Sequence, residues 1–191
     1  MFVFIFNITF FFFLRKIAEL ISGFAGLGLT KADLRPMHQS IYKLLELSWL
    51  KMNQEHRLMA MEGLSKMSFK WYEMPTSLQA EFEETFINDL TKENEIHIPD
   101  LSNYLIYFKD MGYNWHEDVK TRNRVYQSIE EYFRDLHPEK EYEFCTISYV
   151  FSESGLRWLS LPKFLRDLFL NGFSVYLQHW NQSQLGTVLK G

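Results

Sequence analysis

One figure of sequence returns along this chain and limits what it can fold into. An apolar helical stretch runs into a short break carrying an aromatic ring, and a proline opens the next apolar stretch. Its clearest copy is GLSKMSFKWYEMP at residues 63–75. DMGYNWHEDV at 110–119 and SGLRWLSLP at 154–162 repeat it, so that Trp71, Trp115 and Trp158 fall 44 and then 43 residues apart. GLGLTKADLRP at 26–36 is a copy without tryptophan, 40 residues upstream when Gly28 is set against Ser68. Proline suits the first position of a helix, where its missing N–H has no intrahelical partner and its fixed φ already fits. A period near 40 residues with two helical segments per unit predicts stacked pairs, because one pair cannot bury its apolar face alone. The fold expected is therefore all-α, a short α-solenoid of about four helix-turn-helix repeats, each roughly 40–44 residues long.

The repeats are read at about 15–51, 53–92, 97–135 and 141–172, within one domain over 15–180 followed by a polar tail at 181–191. In the first, Leu14, Ile17, Leu20, Ile21 and Phe24 take helical spacing. Its second helix starts near Asp33, an expected N-cap, and carries Met37, Ile41, Leu44, Leu45 and Trp49. In the second repeat Leu58, Met59, Met61, Leu64 and Met67 precede Leu78, Phe82, Phe86 and Leu90, which stand four apart and stack on one face. A polar linker at 91–95 leads to the third, with Leu101, Leu105, Phe108 and Met111, then Gly112 as the residue free to take positive φ, then Val125, Ile129, Tyr132 and Phe133. The fourth uses Phe144, Ile147, Val150 and Phe151, Gly155 as terminator, and Leu161, Leu165, Leu168 and Phe169. The three tryptophans need no function: each is read as a ring wedged between a helix pair and its neighbour.

The first fourteen residues, MFVFIFNITFFFFL, carry no charge and are followed by Arg15-Lys16. As a helix they reach roughly 21 Å, short of the roughly 30 Å of a bilayer's hydrocarbon core. Neither a secretory signal nor an arginine-rich presequence fits them. Three readings stand: an apolar N-terminal arm at 1–14 buried against another subunit, the first helix of repeat one, or a membrane-embedded anchor. The net charge of −4 gives no global attraction for nucleic acid or an anionic membrane, so any such contact needs a local patch. A single cysteine, Cys145, excludes an intramolecular disulfide and a cysteine-based zinc site, and its apolar surroundings in sequence read as an inert buried thiol. The six histidines form no paired ligand set, and no phosphate loop, dinucleotide fingerprint or nucleophile elbow is present. No catalytic residue, metal or cofactor is expected.

The pattern GLSKMSFKW-x-x-MP-x-x-LQ at 63–79 resembles the helical-pair repeats called octatricopeptide and heptatricopeptide repeats, and those of FAST-kinase-like proteins. Met111-Gly112-Tyr113-Asn114-Trp115 and Gly155-Leu156-Arg157-Trp158 fit the turn of those repeats. Departures are Ser68 in place of glycine, Val119 in place of proline and Lys31 in place of tryptophan. The resemblance covers about residues 17 to 175 and implies work on organellar RNA. No RAP-type domain is recognisable, so a nuclease-like role is not expected. It points to a non-catalytic RNA-binding or structural subunit of a ribonucleoprotein. The mitochondrial ribosome comes first, with rRNA and neighbouring proteins as partners and the plastid as the alternative location. A different class, a protein-only scaffold or accessory subunit of an organellar membrane complex held by its apolar N-terminus, stays open.

RNA contact needs basic side chains on an exposed helical face. The best candidates are Lys120 and Arg124, four apart in the third repeat, with Arg122 at the edge of that stripe and Arg134 near the helix end. Arg157, Lys163 and Arg166 in the fourth form a second group. Glu117, Asp118, Glu130 and Glu131 share the second helix of the third repeat with Lys120 and Arg124, where i,i+4 pairing would turn the stripe into a neutral, solvated surface.

Overall fold

The computed structural model describes residues 2–91, 98–154, 156, 158–177 and 180, with side chains from Phe13 onward except that of Thr91. Among these residues the fold is all-helical, with no strand. Packing divides the chain into two compact units. The first is Met1–Asp89 with Asp110–Tyr113, the second Leu90–Lys109 with Asn114–Gly191.

The first unit begins with α1 (Phe2–Gly26), which runs through residues 14 and 15 without a break. The residues 2–14 are thus continuous with the first helix of repeat one. α2 (His38–Ser48) follows between two 3-10 turns, Arg35–Met37 and Trp49–Lys51, and then come α3 (Gln54–Lys66) and α4 (Thr76–Thr91). Leu14, Ile17, Ala18 and Ile21 are buried on one stripe of α1, as a 3.6-residue period requires, and Ile21 lies against Gly63 of α3. Just past the helices the Lys31 N–H donates to the Met67 carbonyl at 2.8 Å, so α1 and α3 end together and run parallel. With Ile21 opposite Gly63, α1 continues about ten residues, roughly 15 Å, beyond the first turn of α3.

The recurring sequence figure is a recurring backbone. Gly28, Ser68 and Gly112 all take positive φ (73°, 65° and 82°). After α1 the Leu29 N–H reaches the Phe24 carbonyl and the Gly28 N–H reaches that of Ala25. After α3, Phe69 reaches Leu64 and Ser68 reaches Ser65. These are paired Schellman bonds, which satisfy carbonyls the helix leaves open. Each of these turns also bonds to the next: Lys31 N–H to the Met67 carbonyl, and Trp71 N–H to the Met111 carbonyl at 2.7 Å. In both, the donor stands three residues after the positive-φ residue and the acceptor one residue before the next. Side chains follow the same ladder, with Lys31 paired to Glu73, Lys70 Nζ donating to the Asp110 carbonyl, and the Trp71 ring edge-on to Tyr113 at 5.0 Å.

The second unit holds α5 (Ile98–Asp110), α6 (Val119–Tyr132), α7 (Glu141–Glu153) and α8 (Lys163–Tyr176). Its centre is Phe144, ringed by Phe133, Phe169, Phe173 and Tyr176 at centroid distances of 5.3–5.5 Å. Aromatic pairs at such distances favour the edge-on and tilted geometries seen here.

Several expectations change. Asp33 does not cap α2, because its carboxylate accepts the Thr30 N–H and hydroxyl and so closes the preceding loop. Pro75 and Pro162 sit one residue before their helices; the Pro75 carbonyl accepts the Gln79 N–H, the first intrahelical bond. Gly172 does not end the fourth repeat, since α8 continues through it to Tyr176. Of the three tryptophans Trp115 is buried and Trp71 half-buried, but Trp158 is 41% exposed and is no wedge. Leu20 and Met37, read as core, are exposed. Gly155, the end of the 91–95 linker and the 181–191 tail lie outside the described residues. No helix among the described residues is long and apolar enough to cross a membrane.

Candidate nucleic-acid interface

α6 begins where Asp118 caps it, its Oδ1 accepting the Thr121 N–H at 3.0 Å. Thr121, Val125, Tyr126, Ser128 and Ile129 turn into the second unit. Burying that stripe leaves Lys120, Asn123, Gln127, Glu130 and Glu131 exposed, with Arg124 half-buried beside them and Arg134 exposed beyond the helix end. Lys120 and Arg124 share one row, as their spacing implied.

The expected neutralisation does not form. Among the described residues Lys120, Arg124, Arg134, Lys163 and Arg166 enter no ion pair, and the pairs that do form lie elsewhere, as at Arg15–Glu19, Lys66–Glu62 and Lys109–Glu153. The capping bond engages Asp118, and the Arg124 Nε is buried with no hydrogen-bond partner. Arg122 plays another part. Its Nη1 donates to the carbonyls of Trp115 at 3.2 Å and His116 at 3.4 Å, which pins the turn ahead of α6. Its charge also pulls the Tyr126 hydroxyl down, against the stronger upward push of burial on that pKa. Arg122 is thus tied to the turn ahead of α6, while its side chain stays half-buried.

Lys163 is exposed and Arg166 half-buried in the first turn of α8, and Arg157 lies outside the described residues. α8 also leaves Phe164, Leu170 and Val175 exposed beside these cations, after the exposed Trp158. A face that mixes cations with exposed rings can hold phosphate by charge and a base by stacking.

A third basic surface escaped the sequence reading. On α2 and its flanking turns Arg35, Lys43 and Lys51 are all exposed and stand eight residues apart. Their regular spacing is a signal visible in the sequence, but only their exposure separates these cations from the buried Ile41, Tyr42 and Leu45.

Cys145 and Tyr42 are enclosed. Cys145 is 5% exposed, and burial, with Glu141 nearby, pushes its thiol up to about 11, so it stays protonated near neutrality. Burial likewise lifts the Tyr42 hydroxyl to about 12. No group of three His, Cys, Asp or Glu side chains among the described residues is placed to hold a metal ion. Comparison with protein-family models, with curated proteins and with solved structures finds no match to this chain.

Proposed function

We propose that this chain is a non-catalytic helical-repeat protein, a short α-solenoid, that contacts RNA as a structural subunit of an organellar ribonucleoprotein. The mitochondrial ribosome is the first choice of particle, with rRNA and neighbouring proteins as its contacts and the plastid as the alternative compartment. The carrying observation is a set of unpaired cations on α6, just past its end and on α8: Lys120, Arg134 and Lys163 are exposed and Arg124 and Arg166 half-buried, all without carboxylate partners among the described residues. Such side chains neutralise phosphates and release counterions, which is where sequence-independent RNA affinity comes from. The chain of turn-to-turn hydrogen bonds in the first unit supports the solenoid part of the reading, since stacked repeats join through like positions.

UV crosslinking of the native particle, followed by mass spectrometry of nucleotide-adducted peptides, tests this. Adducts within 120–134 or 163–166 are expected. A particle containing no RNA would sink the reading.

The second reading is a protein-only scaffold of an organellar membrane complex. Its supporting observation is that α1 runs roughly 15 Å past α3 along a sequence without charge. Recovery of an RNA-free, membrane-bound particle in the same experiment would favour it.

A further inference from the structure

The ladder of turns is open at its first rung, and we propose that this rung, with the outer face of α1, receives the last turn of a second copy of this chain. The inference rests on the solenoid part of the reading above and is independent of RNA contact. Setting Gly28 against Ser68 matches α1 to α3 position by position, 40 residues apart. Ala60, Leu64 and Met67 in and just after α3 are fully buried. Gly63 among them has Ile21 of α1 against it, where a Cβ would stand 2.8 Å from the Ile21 Cγ2. Their counterparts are Leu20, Phe24, Leu27 and Gly23. Leu20 is 47% exposed, Leu27 is 78% exposed and Phe24 is half-buried, and a Cβ on Gly23 would meet nothing within 4 Å. At 3.6 residues per turn, positions 20, 23, 24 and 27 fall within about 100° of arc, on one face of the helix.

The backbone repeats this difference. The Met67 and Met111 carbonyls accept the Lys31 and Trp71 N–H groups. The Leu27 carbonyl, in the same place before Gly28, accepts no hydrogen bond among the described residues. Later in the chain, Trp158 holds in the figure at 154–162 the place that Lys31 and Trp71 hold in theirs. Its N–H donates to nothing among the described residues, and its ring is exposed. The Trp71 ring, by contrast, meets Tyr113 of the next turn, and the half-buried Leu29 stands after Gly28 where Tyr113 stands after Gly112. A donor without an acceptor and an acceptor without a donor are left over, each beside uncovered apolar side chains.

These leftovers select the occupant. A repeat array that ends in water carries polar side chains on its outer face, and Leu20, Phe24 and Leu27 are no such cap. The contact this face lacks is one the first unit already makes within itself twice, through Lys31 with Met67 and Trp71 with Met111. The half that completes it, a turn with an open N–H and an exposed ring, is the chain's own turn at Trp158. Two different surfaces meet in such a contact, so it links copies head to tail, into an open string or a closed ring.

The test is analytical ultracentrifugation of the full chain as its concentration is raised, with two variants. Leu20→Glu with Leu27→Glu blocks the α1 face, and Trp158→Glu blocks the last turn. All three side chains are exposed, so both variants are expected to retain wild-type helical circular dichroism. The wild-type chain is expected to rise from the mass of one copy to that of two or more. Each variant alone is expected to lose that rise. An equimolar mixture of the two is expected to form a species of two copies and no larger, since it joins the intact last turn of one to the intact α1 face of the other. Association that survives the α1 variant, or a mixture that stays at one copy, would overturn the inference. A Trp158→Glu protein that still pairs would replace the head-to-tail contact by α1 against α1. A wild-type chain that stays at one copy throughout would overturn self-association, and hydrogen exchange then shows what failed. Slow exchange at the Lys31 and Trp71 amides would leave the solenoid reading standing, whereas fast exchange there would remove both.

Discussion

Gly172 of α8 lies under the ring of Phe144, so close that a Cβ on the glycine would stand 2.2 Å from ring Cζ and 2.3 Å from Cε2. Phe144 is fully buried and is itself fixed by Phe133, Phe169, Phe173 and Tyr176, so the ring cannot swing clear without disturbing the centre of the second unit. In an open helix the change from glycine to alanine gains about 1 kcal/mol. Here forced overpacking, typically about 1–3 kcal/mol, opposes that gain. With the ring unable to move aside, Gly172→Ala is expected to destabilise by about 1–2 kcal/mol in urea unfolding. Adding Phe144→Leu should recover part of the loss, a non-additivity that marks direct contact. A Gly172→Ala protein as stable as wild type would contradict the packing described.

Ser68 offers the opposite opportunity. It occupies the positive-φ position that Gly28 and Gly112 occupy in the equivalent turns, at φ 65°. A residue with a Cβ gives up about 1–2 kcal/mol there, while glycine costs some of that back through its freer unfolded chain. Ser68→Gly is expected to raise stability by about 0.5–1 kcal/mol, read from the urea midpoint at unchanged slope. Gly112→Ala should move the midpoint the other way.

In the first unit the Nη2 of Arg57 on α3 donates to both carboxylate oxygens of Asp89 on α4, at 2.5 and 2.7 Å, with side chains only 5% and 3% exposed. Truncating one member leaves a buried charge without its counter-charge, and Asp89→Ala is expected to cost about 3–5 kcal/mol. The double change Arg57→Met with Asp89→Leu should cost far less, because it removes both desolvated charges together. Equal losses in the single and double variants would show that packing, not charge, holds α3 to α4.

Glu81 of α4 sets a pH dependence. Burial raises its pKa, and Glu46 and Glu84 push in the same direction. A carboxyl whose folded pKa lies above its unfolded one binds the extra proton in the folded state. Stability therefore falls as pH rises through that window and stays lower above it. Glu81→Gln is expected to raise the thermal midpoint at pH 7, with the advantage shrinking as pH falls towards 4.5. Thermal melts across that range check it. An advantage that persists unchanged into acid would assign the effect to something other than this ionisation.

Much of the helical pattern was legible because its causes are local. Leu78, Phe82, Phe86 and Leu90 stand four apart, and all four are buried on α4. Gly112 was read as the positive-φ residue after a helix and is one. Misreadings came where a residue has two local uses. Asp33 can cap a helix or close a loop on Thr30, and the loop won. The fourth repeat runs on past its expected end because α8 continues through Gly172, where the missing side chain makes room for a ring 28 residues away in sequence. The candidate cations were legible as residues but not as a surface. Arg122 turned out to be tied to the carbonyls ahead of α6, while Lys120 and Arg124 kept no carboxylate partner among the described residues.

The sequence by itself determined where helices run, which stripe of each is apolar and where the chain turns, because spacing along the chain and backbone preference act within a few residues. Tertiary structure decided which helices meet, that the turns bond to one another through Lys31 and Met67 and through Trp71 and Met111, and which charges are buried together or left at the surface. Those outcomes join residues some 30 to 40 positions apart, such as Arg57 with Asp89 and Trp49 with Thr85, and a sequence period carries no record of how two distant side chains are aimed.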